Sequence, residues 1–81
     1  MSKMAEVKTE LMGVGVAEGD AEVIADCIVT RKSGSWVSTD EVTDKLLLDL
    51  NNLVKKNNYG ILIKVQPVPT RCKFIWEIKV V

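Results

Sequence analysis

Apolar residues in the first third of the chain recur at helical spacing. Met4, Val7, Leu11 and Val14 predict a short helix over residues 2–12. Gly13 and Gly15 close it, and the stretch from Gly13 to Asp20 serves as a connector. A strand from Val7 to Ala17 is the alternative for this segment. A second helix is expected to start at Asp20, whose carboxylate can accept from the first free backbone amides. Val23, Ile24, Cys27 and Ile28 then line one face. Arg31 and Lys32 suit the negative end of that helix. Gly34 supplies a left-handed stop.

Ser35-Trp36-Val37 is expected to form a short strand. Ser38-Thr39-Asp40-Glu41 has the spacing of a capping box, with Ser38 as the cap and Glu41 reaching back. It predicts a helix from about 39 to 57, with Val42, Leu46, Leu50, Leu53 and Val54 as its buried stripe. Lys55 and Lys56 sit at its negative end, and Asn57-Asn58-Tyr59-Gly60 breaks it. Leu48 falls out of phase, among Glu41, Asn51, Asn52 and Lys55; either the first helix covers it or a partner does. Val29 is a weaker anomaly of the same kind on the preceding helix.

The remainder alternates with a period of two, the mark of strands. Ile61, Ile63 and Val65 alternate with Leu62, Lys64 and Gln66. Cys72, Phe74, Trp76, Ile78 and Val80 alternate with Lys73, Ile75, Glu77, Lys79 and Val81. Proline cannot donate in a ladder, so Pro67 to Thr70 are assigned to the loop of a β-hairpin. Opposed residues then sum to 137, which pairs Val65 with Cys72, Ile63 with Phe74 and Ile61 with Trp76. A slip of one residue would oppose apolar to polar side chains throughout. In this register Lys64 faces Lys73 on the outer side, and Leu62 faces Ile75. Residues 78–81 overhang Gly60, and the Trp36-Val37 segment is the candidate to pair with them. The expected fold class is α+β: two or three helices packed on a C-terminal antiparallel β-hairpin, with a short third strand, in a single small domain over residues 1–81.

Composition narrows the chemistry. The 81 residues contain no histidine, and 11 basic residues balance 11 acidic ones. There is thus no imidazole base or ligand, and a uniformly basic wrapper of nucleic acid is disfavoured. The serines and the two cysteines have no histidine to activate them. Asp40, Glu41 and Asp44 form the densest acidic cluster, which helix capping explains. Gly13-Val-Gly-Val-Ala-Glu-Gly lacks the βαβ frame and the spacing of a dinucleotide fingerprint. No enzyme activity, metal or cofactor is expected. Charges through Glu10 leave no apolar signal-peptide stretch, and no window is long enough to span a membrane. Cys27 and Cys72, without a CxxC motif, are expected to be reduced core thiols of a cytoplasmic protein.

Charge is nevertheless segregated. Residues 1–30 carry a net −4 and residues 31–81 a net +4. Either the two halves complement each other internally, or the molecule presents a dipolar surface to a charged partner. The order helix, helix, short strand, helix, hairpin resembles a winged-helix arrangement over roughly residues 20–81, in which the short strand joins the hairpin and its loop forms a wing. It departs from the DNA-binding pattern where a helix-turn-helix requires two helices before the hairpin; one continuous pattern fills residues 39–57. The function expected is a non-enzymatic protein-interaction or regulatory module that binds a protein partner or a second copy through Leu48, Leu62 and Ile75. The alternative is nucleic-acid binding through Lys55, Lys56, Lys64, Arg71 and Lys73.

Overall fold

The apolar stripes of the helices and the alternation of the strands converge on one core. In the computed structural model, which describes residues 3–68, 71 and 73–81, the chain forms α1 (Lys3–Gly13), α2 (Glu18–Thr30), β1 (Gly34–Ser38), α3 (Asp44–Lys56), β2 (Ile61–Val68) and β3 (Lys73–Val80). The fold is α+β: three helices and an antiparallel sheet in the order β1-β3-β2. The helices cover the sheet face that carries Ile61, Trp76 and Ile78. Leu11 of α1, Ile24 of α2 and Leu50 of α3 are fully buried in the same cluster. No helix among the described residues is long and apolar enough to cross a membrane.

α1 forms as its spacing predicts, which removes the strand alternative for Val7 to Ala17. Val7 and Leu11 are its buried positions. α2 begins two residues earlier than expected, and Asp20 does not cap it. The N-cap is Ala17, in extended conformation and with no side-chain cap. Asp20 lies inside the first turn, buried, and its carboxylate reaches the sheet. Trp36 Nε1 donates to Oδ1 at 3.0 Å and Ser38 Oγ donates to Oδ2 at 2.9 Å. Its position in the first turn also sets its charge toward the positive helix end. Gly34 is likewise not the stop. Arg31 takes the left-handed position at φ 59, and Lys32 N bonds back to Cys27 O. The Arg31 guanidinium reaches Tyr59 O. Gly34 instead starts β1, where an added Cβ would come within 3.2 Å of Cys27 Sγ.

α3 is shorter than the predicted 39–57 span. Ser38 ends β1 and is occupied by Asp20, so the expected capping box does not form. Thr43 is the N-cap, and its Oγ1 accepts from Leu46 N at 3.1 Å. Asp40 and Glu41 therefore precede the helix. Leu50 and Val54 are buried, and Leu46 and Leu53 pack beside them as expected. No helix-turn-helix occupies residues 39–57, all of which are described.

The hairpin register differs from expectation by four residues. Paired positions sum to 141: Val65 faces Trp76, Ile63 faces Ile78 and Ile61 faces Val80. Pro67 and Val68 belong to β2 and not to the loop. β2 is an edge strand, where a proline without an N–H costs no ladder bond on its open side. The overhang also disappears, because Val81 N bonds Gly60 O at 2.9 Å. β1 does join the sheet, but along the other edge of β3, opposite residues 74–78. There Trp36 stacks on Trp76 with ring centroids 5.4 Å apart and planes 9° from parallel. Cys27 is buried and free; Cys72, and the pairing expected for it, lie outside the described residues.

Tyr59 closes the base of the fold. Its hydroxyl donates to Glu10 Oε2, which Asn57 Nδ2 also approaches. Burial first, and then this bond to a carboxylate, hold the phenol well above its ordinary range. Burial, reinforced by Asp26, also raises the Cys27 thiol.

Two measurements check these nodes. Asp20→Ala leaves the Trp36 indole without its acceptor and the Ser38 hydroxyl with only the longer contact to Asp40 Oδ2 at 3.4 Å, and is expected to cost about 2 kcal/mol in urea unfolding; Asp20→Asn, which keeps one acceptor, should cost less. For Tyr59, the folded state keeps a proton that the unfolded chain releases near pH ~10. The stability this supplies is complete below that pH and is lost progressively above it, as pH rises toward the raised folded-state value. Urea midpoints of Tyr59→Phe should therefore fall less steeply above pH ~10 than those of the wild type.

Candidate functional site

Because side chains alternate across a strand, the helix-covered face of the sheet determines the identity of the open one. The open face carries Ser35 and Val37 from β1, Leu62, Lys64, Gln66 and Val68 from β2, and Lys73, Ile75, Glu77 and Lys79 from β3. Across the middle of the sheet Val37 faces Ile75, which faces Gln66. Val68 flanks Ile75 diagonally, and Val37, Val68 and Ile75 line a shallow depression rimmed by Arg71 and Lys73. Val37 is 57% exposed and Leu62 62% exposed. Isolated exposed apolar residues are ordinary; Val37, with the half-buried Ile75 and Val68 beside it, instead belongs to a small apolar cluster.

The register corrects the predicted pairs on this face. Lys64 does not face Lys73. It faces Glu77, an attractive neighbour, while Lys73 faces Val68. The expected like-charge repulsion is therefore absent from that pair. Leu62 does not face Ile75 either. It faces Lys79, two rungs away from the Ile75 cluster. The predicted apolar spot thus separates into Leu62 at one end and Ile75 with Val37 and Val68 toward the turn. Val37 and Val68 were not singled out by the sequence. The signal for Val37 was present, since it neighbours Trp36 and so occupies the other face. Val68 follows Pro67, which reads locally as a loop residue, so no local signal marks it as part of β2.

Leu48 is 61% exposed on the solvent side of α3, so α1 does not cover it. α3 packs on the closed face, so Leu48 and Leu62 point from different sides of the molecule and form no common surface. The basic residues are also dispersed. Lys55 and Lys56 end α3, next to the Gly60 end of the hairpin, whereas Arg71 and Lys73 sit at its turn. The eight residues of β2 separate the two groups by roughly 23 Å. Lys64 lies between them on the open face.

Among the described residues, no ion pair joins the two oppositely charged halves. Among the described residues, the ion pairs are Lys8 with Glu18 at 3.3 Å and with Glu22 at 3.9 Å, both within residues 1–30. Among the described residues, no three acidic or cysteine side chains converge into a group that could hold a metal ion. The chemistry that the open face offers is desolvation of apolar surface beside cations able to meet carboxylates.

If the face is free of internal duty, its apolar side chains add little to folding. Leu62→Thr and Val37→Thr should each shift stability by no more than about 0.5 kcal/mol, against about 3–5 kcal/mol for Trp76→Ala on the closed face. Urea denaturation followed by circular dichroism reads the difference.

The chain matches no family model, no curated protein and no solved structure.

Proposed function

We propose that this chain is a non-enzymatic protein-interaction or regulatory module, and that it binds through the open face of its sheet. The observation that carries this is the apolar strip of Val37, Ile75 and Val68, edged by Arg71 and Lys73, on a face no helix covers. Such a surface gains by excluding water against a partner, while its cationic rim selects acidic surroundings. Leu62 stands apart from this strip, at the Gly60 end of the same face, with Lys64 and Lys79 beside it. Leu48 belongs to a separate side and is not needed for this contact.

Nucleic-acid binding is the second reading. It is favoured by β1 joining the hairpin as a third strand with Arg71 and Lys73 at the turn, the wing-like placement. Against it, Lys55 and Lys56 stand at the far end of the hairpin from those cations, so they do not form one phosphate-tracking stripe with them.

Photo-crosslinking in the source cell separates the two. A photoreactive residue placed at Val37 or Leu62 should yield protein adducts, and one at Lys45 on α3 should not. Leu62→Glu or Ile75→Glu should reduce the adduct at least tenfold, about 1.4 kcal/mol of binding. Adducts to nucleic acid, lost in a Lys64→Glu, Arg71→Glu, Lys73→Glu variant and in raised salt, would transfer the assignment to the second reading. No adduct from either position would remove both.

A further inference from the structure

The open sheet face has an electrostatic counterpart on the same molecule. On the helical layer, Met4 and Val23 line a second shallow depression with Gly19, and Glu22 and Asp26 border it. Val23 is 38% exposed there. One surface is therefore apolar with an acidic border, and the other, on the side of the sheet that the helices leave open, is apolar with a basic border. Lys8 offsets part of the acidic charge through Glu18 and Glu22, but Asp26 has no cationic partner among the described residues. No described ion pair joins the acidic residues 1–30 to the basic residues 31–81, so Glu22 and Asp26 at one depression and Arg71 and Lys73 at the other are not paired with each other within the molecule.

From this complementarity we infer that the partner of the open sheet face is a second copy of this chain, docked head to tail. The α2 surface around Val23, Glu22 and Asp26 of one molecule meets the Val37, Ile75, Arg71 and Lys73 surface of the next. The inference rests on the docking role proposed for the sheet face and names its occupant. Because the two patches are different surfaces, the contact is heterologous. Each added copy presents a fresh patch of either sign, so assembly closes into a ring or continues as a stack and does not stop at a symmetric pair. Steering between oppositely charged patches weakens as salt screens them.

Sedimentation velocity of the purified full chain tests this, with circular dichroism confirming that each variant is folded. The expected result is a weight-average mass above the monomer that rises with protein concentration and falls with added salt. Arg71→Glu with Lys73→Glu should return the chain to monomer, and so should Glu22→Lys with Asp26→Lys. Mixing these two double variants in equal amounts should restore assembly, because every acidic border again finds a basic one. A monomeric wild type at all concentrations, a mass indifferent to either double variant, or a mixture that stays monomeric would overturn the inference. If the wild type is monomeric while crosslinks from Val37 and Leu62 lead to a different protein, the second-copy assignment fails and the docking role stands.

Discussion

The structure depends on one buried carboxylate. Asp20 sits in the first turn of α2 and accepts from the Trp36 indole and the Ser38 hydroxyl on β1. A charge taken out of water is costly unless it is met by donors. Here two neutral donors and the positive start of a helix meet it. The consequence is positional: β1 is a five-residue edge strand paired along one side only, with β3, and this clamp ties it to the helical layer. With β1 held, Trp36 reaches Trp76, and the closed face of the sheet is completed.

Everything proposed for the open face follows from that closure. Once Trp36, Ile61, Trp76 and Ile78 are committed inward, strand alternation leaves Val37, Leu62 and Ile75 with no choice but to face outward. The exposed strip is therefore a by-product of core formation in its geometry. Its composition is not: a solvated face is free to be polar, and here Val37, Ile75 and Val68 are not.

The elements of this fold were legible to different degrees. Amphipathic helices and two alternating strands were readable because their periods are local properties. The hairpin register was not. Registers that sum to 137 and to 141 have the same parity, so both place Ile61, Ile63 and Val65 on one face opposite apolar partners, Trp76, Phe74 and Cys72 in the first and Val80, Ile78 and Trp76 in the second, and hydrophobic patterning cannot separate them. The turn decides, and Pro67 misdirected its placement because an edge strand tolerates a proline that a central one would not. That single displacement moved Lys64 opposite Glu77 and drew Val68 into the candidate site. Asp20 and Ser38 depart from their expected capping roles for a related reason. Both are good helix caps in isolation, and each was claimed by the other through a contact spanning 18 residues that local rules do not see. Thr43, equally suited to capping, took the place left open.

The stacked indoles give the molecule a built-in optical gauge. Trp36 and Trp76 are the two tryptophans of the chain, brought parallel at 5.4 Å by strands far apart in sequence. Transition dipoles in that arrangement couple, and the coupling exists only while the short strand is seated beside its neighbour. The aromatic circular dichroism band therefore reports seating of the first strand separately from helix content.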